Sequence, residues 1–303
     1  MSLTGSQFTI AAGRYRATVT ESGAGLRELT HGGRPLILSY DADVPAPAAL
    51  GQLLIPWPNR VDHGRYTFNG VDHRLDINEP EHDCAIHGLV RWMTWSAAEV
   101  LPERVRLTLR LMGSPGYPYR LDLEAEYALE ADSGLTVRVT ARNPGPRAAP
   151  YAHGAHPYIT VGQPIDTCTV HIPAASYLPV NERMIPPGPP EPVEGTEYDL
   201  RAERVLGDQR IDRAFTDLIR DDDGRARVRL IGDARATAFW LDDTQPWLEI
   251  YTADNVPPTL TRQGLGVEPM TSPPNAFASG LDLVHLAPGE EITGSWGITA
   301  EGV

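Results

Sequence analysis

The chain has 303 residues, of which 28 are Gly and 28 are Pro, a content that excludes a helical bundle or a coiled coil. Its 26 Lys and Arg against 40 Asp and Glu give a net charge of −14, which repels phosphate backbones and anionic headgroups, so neither nucleic acid nor a membrane surface is an expected partner. No apolar run reaches the roughly 18 residues of a membrane span. The start MSLTGSQFTI lacks the basic and apolar regions of a signal peptide, and Cys84 and Cys168 are too few for a disulfide scaffold, so a cytoplasmic location is expected.

Period-two alternation of apolar and polar residues begins at 8–10 and 15–19. Tyr66 and Phe68 then run into Asn69-Gly70, the strongest short hairpin signal, and the chain resumes at Val71. Three segments follow in succession. Val105, Leu107, Leu109 and Leu111 alternate with Arg104, Arg106, Thr108 and Arg110, and Leu121, Leu123, Ala125, Tyr127 and Leu129 alternate with charged or small partners. Leu135, Val137, Val139 and Ala141 complete an antiparallel meander laid over a core. Similar signals recur at 226–230, 247–251 and 292–298. Convincing helical periodicity is absent, with short turns expected around 196–206. Pro-rich stretches at 44–48, 185–192 and 272–275 read as loops, because patterned strands continue on either side. An all-β chain is predicted, with 1–303 forming one large β-sandwich domain.

Several stretches carry more polar and aromatic side chains than a turn or a core requires. In Pro56-Trp57-Pro58-Asn59-Arg60 the prolines stiffen a backbone that presents an amide beside a guanidinium, a clamp for hydroxyls; the bland alternative is a packed Trp beside a solvated Arg. In His82-Asp83-Cys84-Ala85-Ile86-His87-Gly88 the His/Cys/His set matches no established metal spacing, so His87 reads either as a structural or as a functional histidine. In Tyr151-Ala152-His153-Gly154-Ala155-His156-Pro157-Tyr158, residues three apart on a strand point to opposite faces. His153 and His156 are therefore not expected to share a site. Glu268 ends an apolar segment beside Pro269, followed by a Pro-stiffened loop, and Asp212-Arg213 is a weaker candidate that reads equally as a surface pair. Nucleotide-type glycine loops and Gly-x-Ser-x-Gly elbows do not occur. Histidines, a glutamate, an arginine and aromatics remain, a set suited to proton transfer on a neutral polyhydroxylated molecule.

Taken in order, Asn59-Arg60, His87-Gly88, His156-Pro157-Tyr158, Asp212 with Phe215, and Glu268 ahead of Asn275-Ala276-Phe277 resemble the aldose 1-epimerase (galactose mutarotase) family over nearly the whole chain. The resemblance implies an antiparallel β-supersandwich with a sugar in an open cleft and no metal or organic cofactor. It implies that Glu268 is the base taking the C1 hydroxyl proton and His156 the acid protonating the ring oxygen. Arg60 and His87 would orient the sugar, Asp212 would accept its hydroxyls, and Asn59 and Tyr158 would complete the shell. Ordinary carboxyl and imidazole pKa values, about 4.3 and 6.5, would leave the base ionised and the acid partly protonated near neutrality. The sequence departs from better-known members at Met270, at Pro274-Asn275-Ala276-Phe277, and at Glu249, where they tend to carry Gln. A modified or sulfonated sugar is therefore as compatible as galactose or glucose, and the expected partner is a small sugar bound by a monomer or homodimer. Three rival readings stand beside this one. A hexose-6-phosphate 1-epimerase would need further cleft cations such as Arg91 or Arg213. A non-catalytic carbohydrate-binding protein would need neither acid nor base, and a metal enzyme would use His82, His87 and His153.

Overall fold

The computed structural model describes residues 2–302, and it is built almost wholly of antiparallel strands. A nine-stranded sheet runs in the order Ser96–Val100, Arg104–Leu111, Leu121–Glu130, Gly134–Arg142, Glu291–Gly302, Arg235–Leu241, Ala226–Ile231, Thr169–His171 and Arg204–Val205. The meander lies at its start, in continuous register: Leu107 faces Ala125, and Ala125 faces Val139. Its apolar positions are buried and the intervening charges are partly exposed, as alternation requires of a sheet with one solvated face. The strand Glu291–Gly302 pairs with Gly134–Arg142 on one side and Arg235–Leu241 on the other, which joins the meander to the later part of the chain.

A second sheet runs Glu191–Pro192, Ala174–Tyr177, Asp212–Leu218, Trp247–Tyr251, Leu265–Met270, Gly154–Ala155 and Leu53–Leu54, with Tyr158–Ile159 pairing separately onto Leu265–Met270. Pro192 sits on its edge, where a missing N–H costs no ladder bond. Leu248, Ile250, Phe215, Leu265 and Val267 from this sheet share one apolar cluster with Leu107, Leu123, Val137, Phe239 and Trp296 of the first, so the two sheets meet over a common core. Two antiparallel sheets over one core make the all-β sandwich expected from the sequence.

The 44–48 stretch leads into a single 3₁₀ turn at Pro47–Ala49. The turns anticipated near 196–206 are present without a helix, and the region ends in the two-residue strand Arg204–Val205. The only α-helix among the described residues is the four-residue Ala276–Ser279, which follows the Pro-rich 272–275 loop and lies between Asn275 and Gly280, both left-handed.

Candidate functional site

Period two decides which side chains of the second sheet leave the core. Along Leu265–Met270, Leu265 and Val267 enter the core cluster, so Gly266, Glu268 and Met270 project to the opposite face. Glu249 lies directly across from Glu268, Tyr251 lies across from Gly266, and Asp212 lies across from Tyr251. Tyr158 also pairs with Gly266. One face of adjacent strands thus presents Asp212, Glu249 and Glu268 together, and all six residues of Leu265–Met270 are buried.

His156 is brought to that face from a break between two short strands. Its N–H donates to Gln52 O at 3.0 Å and its carbonyl accepts from Gly51 N–H at 2.9 Å, while Pro157 holds the preceding residue extended. Its ring stacks on Tyr158, centroids 4.9 Å apart at 20°, and the Tyr158 hydroxyl donates to Ala48 O at 3.0 Å. Tyr158 therefore supports the imidazole with its ring and anchors the 46–49 wall with its hydroxyl.

Asn59 and His87 lock one another. The Asn59 N–H donates to His87 Nδ1 at 3.2 Å and the His87 N–H donates to Asn59 O at 3.0 Å. Both residues sit in the left-handed region, at φ 51 and 63, a costly conformation that persists where surrounding structure over-determines it. Because Nδ1 accepts, the neutral His87 ring carries its proton on Nε2. Gly88 allows the loop to pass: a Cβ there would lie 2.1 Å from Ile55 O. Asn59 Oδ1 caps the Arg60 N–H at 2.8 Å and its Nδ2 donates to Glu249 Oε2 at 3.4 Å.

All seven predicted residues, Asn59, Arg60, His87, His156, Tyr158, Asp212 and Glu268, line one cavity of about 620 Å³. Within it, His156 Nε2 lies 3.2 Å from Glu268 Oε1, and both groups are nearly inaccessible to solvent. Burial pushes Glu268 well above the usual carboxylate range; Asp212 adds to the rise and Arg60 opposes it. Burial drives His156 down to about 3, with Arg91 adding to the fall. Burial thus opposes both the ionised base and the charged acid expected from ordinary values in the ligand-free site. Desolvation penalises both charges, which favours the form with the proton on the carboxyl. Glu268 Oε2 and His156 Nδ1 are buried without a hydrogen-bond partner, whereas most buried polar atoms have one. His87 is also held well below its ordinary value, by burial and then by His156, Arg91 and Arg60.

Several residues of the site carried no sequence signal. Glu79 grips the Arg60 guanidinium bidentately, Nε to Oε2 and Nη2 to Oε1 both at 2.8 Å. Only the closure of its loop, through Glu79 N–H to Cys84 O and Cys84 N–H to Glu79 O, brings it there. Trp92, Met184 and Tyr251 complete much of the wall, together with Arg91, one of the two cations the sequence offers for a charged sugar. Arg91 has no carboxylate partner among the described residues, and burial lowers it from the ordinary arginine value. Arg213 goes elsewhere, with its guanidinium over the Tyr198 ring.

The histidines of the metal reading do not converge. His153 is fully buried between Tyr151 and Gln245, hydrogen-bonded at 3.1 and 3.2 Å, and takes no part in lining the cavity. His82 turns to Glu79, Cys84 Sγ approaches His82 O, and His87 Nδ1 is occupied by the Asn59 N–H. Among the described residues no group of three His, Cys, Asp or Glu side chains is arranged to hold a metal ion.

Comparison with known proteins gives a family and a set of folds. The sequence model of the family described as Aldose 1-epimerase matches residues 6–299. The uncharacterized protein YihR of Escherichia coli K12 is 35% identical over 291 residues, 96% of this chain and 92% of that one. The galactose mutarotase of Mus musculus is 30% identical over 263 residues, 77% of this chain and 73% of that one. Among solved structures, the GalM/aldose epimerase homologue from C. elegans superposes with a TM-score of 0.88 at 18% identity, covering 98% of this chain and 99% of that one. That last likeness is one of fold.

Proposed function

The chain belongs to the aldose 1-epimerase family, and on that premise we propose that it interconverts the α and β anomers of a hexose or related aldose by ring opening and reclosure. The observation that carries the reading is the Glu268–His156 pair, 3.2 Å apart and buried in the cavity, with one polar atom of each left unpartnered. In the ring form of the sugar, Glu268 as carboxylate takes the C1 hydroxyl proton while protonated His156 gives its proton to the ring oxygen. The C1–ring oxygen bond breaks and an open-chain aldehyde results. Rotation about C1–C2 turns the other carbonyl face to the returning hydroxyl. On closure the hydroxyl proton returns to His156 and Glu268 returns its proton to the C1 oxygen.

The proton inventory of the pair is constant through this cycle. Carboxylate with imidazolium, and carboxylic acid with neutral imidazole, each hold one proton on the two groups, and the second matches the open-chain intermediate. Burial favours that second form in the ligand-free site. A bound ring sugar supplies the donors and acceptors that offset the charge of the first. Arg60, held rigid by Glu79, and neutral His87, with Nε2–H free to donate, are placed to stabilise negative charge developing on oxygen. Asp212 accepts hydrogen bonds from hydroxyls further round the ring, and Asn59 helps to fix both the His87 loop and Arg60.

Arg91 favours a second reading, in which the sugar carries an anionic group, as in a hexose 6-phosphate. It is a cation on the cavity wall with no carboxylate among the described residues to neutralise it. Polarimetry on the purified protein separates the two, following freshly dissolved single anomers of free, phosphorylated and sulfonated sugars. Accelerated equilibration of neutral sugars is the expected result. Acceleration confined to the charged sugars selects the second reading, and none with any sugar overturns both.

A further inference from the structure

The acidic residues behind the cavity outnumber the charges available to balance them. Glu249 stands directly across from Glu268 on the neighbouring antiparallel strand, and diagonally from Asp212 on the strand beyond. Residues so paired have Cβ atoms about 5 Å apart, and like charges there repel. Glu249 is 3% exposed and does not itself line the cavity. Arg60 faces this group with its fork already taken by a fourth carboxylate, Glu79, and Arg213 acts on Asp212 alone while its Nη1 donates to the Asp212 carbonyl at 2.6 Å. Glu268 has His156 at 3.2 Å, but Glu249 has only the Asn59 amide at 3.4 Å. Tyr251, on its own strand, supplies no positive charge.

Resting on the mutarotase reading for its functional meaning, we infer that Glu249 is a neutral carboxylic acid at working pH and donates its proton in a hydrogen bond to Asp212. Glu249 is then a positioning residue: it keeps Asp212 an ionised acceptor, aimed into the cavity, without touching the sugar. The Glu268–His156 pair holds one proton whichever group carries it. Asp212, Glu249 and Glu79 then face only Arg60 and Arg213, so the excess calls for a second proton, and Glu249 is the carboxyl flanked by both Asp212 and Glu268. Burial, reinforced by Asp212 and Glu268 and opposed by Arg60, raises Glu249 well above the carboxylate range, and its hydrogen bond with Asp212 stabilises the protonated acid. Burial raises Asp212 as well; Arg60, the bond from Glu249 and then Arg213 oppose that rise, and Glu79 adds to it, so the bond acts on Asp212 in the direction expected of an acceptor.

The consequence is an alkaline limit. As pH rises Glu249 loses its proton, Asp212 loses its donor, and two adjacent carboxylates repel. Glu249→Gln keeps a donor of the same shape that cannot ionise. The pH profile of kcat/KM is therefore expected to fall on the alkaline side with two proton losses for the native chain, and with one, that of the Glu268–His156 pair, for Glu249→Gln. Infrared difference spectra at neutral pH, native minus Glu249→Gln, are expected to show the carbonyl stretch of a protonated carboxylic acid. Glu249→Met, of similar length but with no proton to give, is expected to raise KM about tenfold, the loss of one hydrogen bond to a charged group. An unchanged alkaline limb in Glu249→Gln, or a carboxylate band in place of the acid band, overturns the inference. The infrared band reads protonation whether or not any sugar is turned over, so failure of the mutarotase reading and failure of this one are seen separately.

Discussion

In the nine-stranded sheet, Leu121–Glu130 turns Leu121, Leu123, Ala125, Tyr127 and Leu129 inward and leaves Asp122, Glu124 and Glu126 partly in water. In the eight-stranded sheet, Leu265–Met270 alternates just as strictly, yet both of its faces are buried and its second face carries Glu268. The same period two serves different ends. In the first sheet polar residues stand where solvent makes them cheap. In the second they are desolvated, which costs stability and shifts their protonation. A buried acidic face against an apolar core is therefore a mark of chemistry, not of folding.

The sharpest break of the comparison is Glu268→Gln. Positioned proton transfer contributes about 10²–10⁴-fold, so kcat is expected to fall roughly a thousandfold by polarimetry. Thermal stability should hold or rise, because a buried amide replaces a carboxyl that ionises in the unfolded chain near pH 4.3 but not in the fold. With its folded value raised, Glu268 contributes stability that is present below that unfolded value and lost as pH rises. A native chain that gains on the variant with rising pH would contradict the assignment of charge.

The opposite behaviour is expected of Leu107→Ala in the meander. Leu107 is 0% exposed, and truncating a buried Leu costs roughly 2–5 kcal/mol through lost transfer energy and the cavity left behind. Denaturant melts should record that loss, while kcat of the folded fraction stays the same. A lowered kcat with intact stability would mean that the two sheets are not separable in this way.

What could be read in advance follows the same division. The meander and the Asn69-Gly70 hairpin were legible because alternation with one wet face, and a turn needing left-handed residues, are local properties. The cavity residues Asn59, Arg60, His87, His156, Tyr158, Asp212 and Glu268 came from short stretches whose order along the chain carried the resemblance. His153 and His156 do part as expected, but both lie outside the short strand Gly154–Ala155, so the strand-parity reasoning is not the physical cause. Glu79 was not legible, since its contact with Arg60 depends on how a loop closes. The proton on Glu249 was not either, because it follows from the register of three strands whose pairing the sequence does not state. The opposite pulls of burial on Glu268 and His156 are not legible for the same reason: reference pKa values describe a solvated group, and burial is a property of the fold.

Glu79→Gln probes the join between the two kinds of region. Losing the charge-assisted fork leaves Arg60 hydrogen-bonded but no longer clamped, and bonds to charged groups contribute about 1.5–3 kcal/mol. A drop in kcat/KM of roughly tenfold to a hundredfold is expected, falling mainly on KM if Arg60 orients the sugar and mainly on kcat if it stabilises charge in the transition state. A variant indistinguishable from the native chain would show that Arg60 is placed by its backbone pairing with Ile86 alone.

The smallest effect belongs to the residues that made the fold easiest to read. Arg106 reaches diagonally to Glu124 on the solvated side of the meander, Nη1 to Oε2 at 3.7 Å, each a little under two-fifths exposed. Water and salt screen such a pair, so Arg106→Ser should change stability by no more than about 0.5 kcal/mol and leave turnover as it was. Their contribution is to register instead: a shift of one residue would bury that charged face and expose the apolar one. If Arg106→Ser cost as much as Leu107→Ala, the outer face would be contributing packing, and the contrast between a solvated sheet and a buried, acidic one would fail at its simpler end.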